Sequence, residues 1–80
     1  MRWVQHNIKR EIGGNTVSLP LNFTEENNLY KINAIQDLTT GEMVAYSLVC
    51  LYSNGTRLGE YKTLKAAQLA AEKHMASRRS

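Results

Sequence analysis

The sequence predicts an α+β fold: an antiparallel meander of three strands packed against one C-terminal helix, with an additional N-terminal hairpin as an option. Asn54-Gly55 lies between two apolar runs, and this dipeptide favours a hairpin because a type I′ turn needs positive φ at both central residues. An alanine-rich run after Thr63 has apolar residues at helical spacing. The 80 residues are the length of one domain, so we expect a single small domain over 1–80.

The meander takes its strands from the middle of the chain. We expect them near residues 29–37, 42–52 and 56–62. Gly41, in the turn at 37–42, can adopt the left-handed conformation of a bulged hairpin loop. In the first strand, alternation places one set of side chains on the same face: Tyr30, Ile32 and Ala34.

A two-residue loop at Asn54-Gly55 would fix the register of the last two strands, with Tyr52 opposite Arg57. One face of this hairpin would then carry Tyr46, Leu48, Cys50, Tyr52, Gly59 and Tyr61. The other would carry Ala45, Ser47, Val49, Leu51, Leu58 and Glu60. Both faces are rather apolar, so the pattern leaves open which one meets the helix. It also predicts a second cover for the sheet, plausibly the N-terminal segment.

The N-terminal quarter is less regular. Residues 3–11 suit a strand, Gly13-Gly14 interrupts it, and 16–19 suit a short strand, so the two could form a first hairpin. Pro20 lacks an N–H, and strand pairing should therefore end there or lie at an edge. We expect residues 21–28 to be a polar, flexible connection, with one helical turn as an option.

The helix is predicted over residues 64–77, with Thr63 as its N-cap. Its buried stripe recurs at helical spacing and consists of Leu64, Ala67, Ala71, His74 and Met75. Ala66 and Ala70 widen the stripe. Because it then contains four alanines, the helix should lie close to the sheet, and Gly59 could sit beneath it.

The basic residues are concentrated at the two ends of the chain, and the net charge is +3. Residues 57–80 hold six basic and two acidic side chains, whereas residues 12–56 hold one basic and four acidic ones. This asymmetry indicates a polyanionic or acidic partner. A solvated surface that keeps the protein soluble explains it equally well.

Three basic residues form the first candidate site. Lys62 and Lys65 lie beside the predicted helix start, where a cation opposes the helix dipole by roughly 0.3–1 kcal/mol. A helix N-terminus attracts anions. With Arg57 on the neighbouring strand, the two lysines would form a phosphate- or carboxylate-binding corner, here called the helix-start corner. The alternative is that both lysines are simply solvated.

Tyr52 is the fourth candidate. Tyr46, Tyr52 and Tyr61 would share a sheet face with Arg57 and, if exposed, would offer an aromatic and basic platform for nucleic acid or for a protein. If buried, they belong to the core.

Enzyme chemistry has little support in the sequence. The two histidines and the single cysteine lack zinc-ligand spacing, and no glycine-rich phosphate loop is present. We therefore expect a non-enzymatic protein without metal or cofactor. One cysteine agrees with a reducing compartment, and no apolar run has signal-peptide or transmembrane length, so we expect a cytoplasmic protein with no membrane role.

Residues 43–76 resemble known families. Leu58-Gly59, Tyr61 and Thr63, followed by Ala67 and Ala71, are similar to the last strand and helix of AP2-type DNA-binding domains and of phage integrase arm-binding domains. In those families the sheet enters the DNA major groove and the helix packs behind it. The resemblance implies that sheet residues such as Arg57 contact DNA. The same stretch is similar to the C-terminal half of double-stranded-RNA-binding domains, which implies that Lys65 contacts phosphates.

Two functional hypotheses follow from the sequence. The first is a small nucleic-acid-binding module, with DNA favoured, that uses Arg57, Lys62, Lys65 and Tyr52. The second is a small phage or mobile-element protein that docks on a host protein and inhibits or redirects it. A homodimer through an open sheet edge is compatible with both.

Overall fold

A computed structural model describes residues 1–37 and 39–79, without the side chains of Ser53 and Arg79. Its elements are β1 (Trp3–Ile12), β2 (Asn15–Glu25), β3 (Tyr30–Gln36), β4 (Met43–Cys50), β5 (Thr56–Tyr61) and α1 (Leu64–Arg79), with a 3₁₀ turn at Leu51–Ser53. The strands form one antiparallel sheet in the order β1-β2-β3-β4-β5. The predicted α+β class and C-terminal helix are confirmed, but the sheet has five strands rather than three.

The predicted N-terminal hairpin is confirmed, and it is longer than expected. Gly13 and Gly14 have φ of 60° and 82° and form a two-residue loop between the paired residues Ile12 and Asn15. Positive φ at both loop residues matches the twist of the flanking strands, and glycine adopts it without steric cost.

Strand β2 continues past Pro20 to Glu25, so the prediction of a polar, flexible connection over 21–28 is wrong. The β1–β2 register shifts between the pairs His6–Asn22 and Asn7–Pro20, which leaves Leu21 as an extra residue on β2. Because a proline is tolerated at such a bulge, the strand does not end there. Leu21 itself is buried.

Glu25 is a buried acid that closes the short connection from β2 to β3. Only 3% of its surface is exposed, and its carboxylate accepts hydrogen bonds from the backbone N–H groups of Asn27 (2.9 Å) and Leu29 (3.3 Å). These bonds satisfy a turn that would otherwise leave amides without partners.

The β4–β5 connection is longer than the predicted two-residue loop. Asn54 and Gly55 do adopt positive φ, 57° and 69°, but the 3₁₀ turn precedes them. The observed pairs are therefore Tyr46–Tyr61, Ser47–Glu60, Leu48–Gly59, Val49–Arg57 and Cys50–Thr56. The predicted pairs, with Tyr52 opposite Arg57, are wrong, because the extra turn moves Tyr52 out of the ladder. Gly41, with φ of 79°, has the predicted left-handed conformation, and Leu38 of that turn lies outside the described residues.

Helix α1 begins as predicted, with the Thr63 hydroxyl accepting a hydrogen bond from the Ala66 N–H at 3.1 Å. Ala67 and Ala71 have no exposed surface and pack into the core. A Cβ built on Gly59 would lie 3.2 Å from the Tyr61 hydroxyl oxygen, so the Tyr61 ring is the nearest group above this glycine. Within the described residues, no helix has both the length and the apolarity to cross a membrane.

Candidate interface on the open sheet face

The two faces of the sheet differ in what covers them. Helix α1 packs on one, here called the helix face, whose core includes Phe23, Ile32 and Leu48. Helix α1 makes its contacts with β3, β4 and β5, and the face of these strands turned away from it is here called the open face. The N-terminal segment, the predicted second cover, pairs with β2 along its length as the edge strand β1. Its Ile12 side chain lies against the β3–β4 turn, where a Cβ built on Gly41 would be 3.4 Å from Ile12 Cδ1.

All six aromatic residues of the chain belong to the helix-face core. Phe23 and Tyr30 are buried in it, and the others pack against it while partly buried: Trp3, Tyr46, Tyr52 and Tyr61. Leu58, predicted on the opposite face, also packs against this core, because it is the extra residue of a bulge on β5. The open face is left without a Trp, Tyr or Phe side chain.

Two cross-strand rows make up the centre of the open face. Residues paired directly across antiparallel strands point to the same side of a sheet, and neighbouring strands are about 4.8 Å apart. The first row is Val4, Thr24, Lys31, Val49 and Arg57. The second row is His6, Asn22, Asn33, Ser47 and Glu60. The second row consists wholly of side chains that can form hydrogen bonds with a ligand.

Two cations lie in the first row. Lys31 is half-buried on the central strand β3, and Arg57 lies on the edge strand β5. The Arg57 guanidinium forms an ion pair with the Glu60 carboxylate of the second row, and 56% of the Arg57 side chain is exposed. An exposed pair contributes little to stability, so the guanidinium can exchange this partner for another anion at small cost.

The helix-start corner is not assembled as predicted. Lys62 follows the end of β5, whereas Arg57 lies near its beginning, so five steps of about 3.3 Å separate their Cα atoms by roughly 16 Å. Lys65 is exposed at a cleft between α1 and β1, which Trp3 and Glu72 also line. Lys65 is therefore on the helix side of the molecule, Arg57 is on the other, and Lys62 lies at the far end of β5 from Arg57.

Tyr52 also lies away from Arg57, which overturns the expected aromatic and basic platform. The Tyr52 hydroxyl is 2.9 Å from the Tyr30 hydroxyl and 3.2 Å from His74 Nδ1, and the Tyr30 hydroxyl is 2.7 Å from the same nitrogen. The Arg78 guanidinium lies 4.4 Å from the centre of the Tyr52 ring. Tyr52 thus clamps the β4–β5 connection to the C-terminal half of α1.

Burial is the main cause of the altered acidity in this cluster. It raises the pKa of the Tyr30 phenol well above its ordinary value, and the hydrogen bond with Tyr52 raises that pKa further. Tyr30 is therefore neutral at neutral pH, and the cluster acts as a structural contact.

Sequence reasoning missed the polar half of the open face, in particular Lys31, Asn22 and Asn33. The signal was present in β3: once Tyr30, Ile32 and Ala34 share one face, alternation puts Lys31, Asn33 and Ile35 on the other. Asn22 could not be found in the same way, because residues 21–28 do not read as a strand.

Comparison of the chain with protein-family models, with curated proteins and with solved structures found no match. Within residues 1–37 and 39–79, no three His, Cys, Asp or Glu side chains are grouped so that they could hold a metal ion.

Proposed function

We propose that the protein is a small non-enzymatic nucleic-acid-binding module that binds duplex DNA through the open face. The observation that carries the proposal is the uncovered pair of rows, in which amide, hydroxyl and basic side chains stand next to one another. Asn side chains can form two hydrogen bonds with adenine, and Arg can do so with guanine or with phosphate. A net charge of +3 favours approach to a polyanion.

Duplex rather than single-stranded nucleic acid is favoured because the Trp, Tyr and Phe residues are all committed to the core. Proteins that bind single strands stack successive bases on several exposed aromatic rings, whereas the two rows of the open face contain one such ring, that of His6. Its amides and hydroxyls suit the edges of stacked base pairs instead.

The dimensions of the sheet support a groove contact. Asn22, Asn33 and Ser47 lie on three successive strands and together span about 10 Å, which fits a major groove about 12 Å wide. Arg57 on β5 lies one strand further out, where it would meet the phosphates at one rim of the groove. We place this activity in the cytoplasm, which is compatible with the single, unpaired and buried Cys50.

Fluorescence anisotropy tests the proposal, with labelled duplex DNA, single-stranded DNA and duplex RNA of equal length titrated at two salt concentrations. We expect saturable binding to duplex DNA that weakens steeply with salt, because phosphate contacts release counterions. Binding to single-stranded DNA should be weaker. Absence of duplex binding at low salt, or a preference for the single strand, would overturn the proposal.

Two charge-matched variants locate the site. Lys31→Gln/Arg57→Gln removes two cations from the open face, and Lys62→Gln/Lys65→Gln removes two near the helix start. Both variants have the same net charge, so a difference between them reports position and not total charge. We expect the first to weaken duplex binding at least tenfold and to flatten its salt dependence, and the second to weaken binding by less than threefold. The reverse order would assign binding to the helix side.

A second candidate function is docking on a host protein. It is favoured by two exposed apolar side chains, Val4 at 48% and Ile35 at 37%, both of which lie on the open face. A protein contact centred on them would depend weakly on salt. Capture of a host protein by the wild type, lost in Ile35→Lys and retained in Lys31→Gln/Arg57→Gln, would favour this function over DNA binding.

A further inference from the structure

The two edges of the sheet are built differently. Strand β5 has six residues and carries the extra residue Leu58 between its pairs with Leu48 and Val49. Such a bulge twists an edge strand and hinders pairing with another strand. Strand β1 has ten residues, and the extra residue in its ladder, Leu21, is on β2. The β1 edge is therefore long and regular, and it contains no proline to interrupt it.

We propose that β1 pairs antiparallel with β1 of a second copy of this chain, so that two five-stranded sheets join into one sheet of ten strands. In a two-fold pairing of a strand with its own copy, residues directly opposite each other point to the same side. The open faces of the two copies then become continuous. The backbone groups on the outer side of β1 gain partners in the same step.

Side-chain alternation along β1 makes the strand complementary to itself. The Gln5 amide donates a hydrogen bond to the Asn7 side-chain oxygen at 3.0 Å, so these two side chains lie on the same side of the strand. Trp3 lies two residues before Gln5 and so points to the same side of the strand. Because Trp3 packs against the core, this side belongs to the helix face. Val4 and Ile8 consequently point to the open face.

A two-fold axis through Ile8 matches the strand best. Ile8 then lies opposite Ile8 of the second copy and Val4 lies opposite Ile12, so apolar side chains meet on the open face, with the His6–Arg10 pairs between them. On the helix face, the Gln5 amide lies opposite the Glu11 carboxylate, and the Asn7 amide lies opposite the Lys9 ammonium. These are pairs of a charge with a neutral hydrogen-bonding group.

Neighbouring registers are worse. An axis through Asn7 places Val4 opposite Arg10 and Ile8 opposite His6, so the apolar cross-strand pairs are lost. An axis through Lys9 places two lysines directly opposite each other, and like charges at such positions are destabilising. The sequence of β1 therefore selects the register centred on Ile8. This inference concerns a different surface from the DNA proposal and stands whether or not DNA binds.

Sedimentation equilibrium tests the dimer, with wild type, Ile8→Lys and Ile35→Lys compared at equal concentrations. We expect the wild type to dimerise reversibly and Ile8→Lys to raise the dimer dissociation constant at least tenfold, since two lysines would meet on the axis. Ile35→Lys introduces the same side chain on the open face away from β1 and should leave the constant within threefold. A wild type that stays monomeric at millimolar concentration, or an Ile8→Lys variant that dimerises normally, would overturn the proposal.

Cross-linking provides a second test of the β1–β1 dimer if Ile8→Lys fails to fold. Under mild oxidation, Ile8→Cys should form a disulfide-linked dimer, because the two sulfurs would meet on the axis. Thr16→Cys, on the exposed part of β2, is the control and should stay monomeric, and buried Cys50 should not react in either. Equal cross-linking of Ile8→Cys and Thr16→Cys would contradict the β1 pairing. Because no DNA is present, neither result depends on nucleic-acid binding.

Discussion

The helix face and the open face of the same sheet differ in role: the first is packed and stabilises the fold, and the second carries the proposed binding residues. Adjacent residues of β4 show the division: Leu48 has no exposed surface, whereas Ser47 points into the polar row with Asn33 and Glu60. The Trp, Tyr and Phe side chains and the closely packed alanines stabilise one face, and the polar row with Asn22, Asn33, Ser47 and Glu60 lies on the other. A domain this small buries only about 60% of its unfolded surface. It can therefore leave a face uncovered only by concentrating its aromatic side chains on the opposite one.

The largest expected effect is on stability, and it separates neighbouring residues of β4. Leu48→Ala should lower the free energy of unfolding by about 2–5 kcal/mol, because it leaves a cavity beneath α1. Val49→Ala, on the open face, should lower it by about 1 kcal/mol or less. Urea unfolding followed by circular dichroism measures both. Equal losses would show that the open face is covered in solution.

The next effect concerns the close approach of the helix. Ala71→Leu should destabilise the fold by about 1–3 kcal/mol, because Ala71 has no exposed surface and the added atoms would force α1 away from the sheet. Ala76→Leu, on an exposed position of the same helix, is the control and should change stability by about 0.5 kcal/mol or less. Thermal unfolding of the two variants side by side measures the difference. Unchanged stability in Ala71→Leu would contradict the close packing of α1 on the sheet.

The sequence was sufficient for the elements whose signals are local. The helix, its Thr63 cap and the positive φ values of Asn54 and Gly55 follow from neighbouring residues alone. The register of β4–β5 does not, because the 3₁₀ turn at Leu51–Ser53 is held from outside: the Leu51 N–H donates to the Leu29 carbonyl at 2.9 Å.

The candidate site was harder to predict for the same reason. Arg57 was selected as a candidate because it is basic and lies on the predicted last strand. Its relation to Tyr52, Lys62 and Lys65 was wrong, because these residues are neighbours in sequence whereas the open face joins residues from five strands. Lys31 and Asn22 come near Arg57 only because strands distant in sequence pair in the sheet. Predicting each hairpin separately does not predict that pairing.

A third prediction sharpens the role of the tyrosine cluster on the helix face. Tyr30→Phe should cost about 1 kcal/mol at neutral pH, because the hydroxyl that contacts both Tyr52 and His74 is lost. Tyr46→Phe, for a partly buried tyrosine of the same face, is the control. Chemical unfolding at pH 7 would contradict the prediction if the two variants lost the same stability.

The raised pKa of Tyr30 adds a pH dependence with a definite sign. The unfolded chain releases the Tyr30 proton near its ordinary pKa of about 10, whereas the folded chain keeps it. The unfolded state is therefore stabilised relative to the folded state as the pH rises above that value. The contribution of Tyr30 is thus fully present below about pH 10 and is lost above it, by up to about 1.4 kcal/mol per pH unit. Unfolding measured between pH 8 and 11 should show a shallower decline in Tyr30→Phe. Parallel declines would show that Tyr30 titrates normally in the fold.

The smallest expected effect on stability is at the proposed binding residues. Arg57→Gln should change the free energy of unfolding by about 0.5 kcal/mol or less, because its ion pair with Glu60 is exposed. Glu60→Gln should be similarly mild while strengthening DNA binding, since it frees the guanidinium and removes a negative charge from the interface. Urea unfolding and fluorescence anisotropy on the same samples measure both effects. Weaker DNA binding by Glu60→Gln would contradict binding at the open face.

The central claim is that nucleic acid meets the open face and leaves the helix face untouched. Side-chain N–H signals in a ¹⁵N-correlated NMR spectrum report this directly, because Asn22 and Asn33 carry amides on the open face, whereas Trp3 carries an indole N–H on the helix face and Gln68 an amide on α1. On titration with duplex DNA, we predict that the Asn22 and Asn33 signals shift while those of Trp3 and Gln68 stay in place. Shifts confined to Trp3 and Gln68 would contradict the account and assign binding to the helix side.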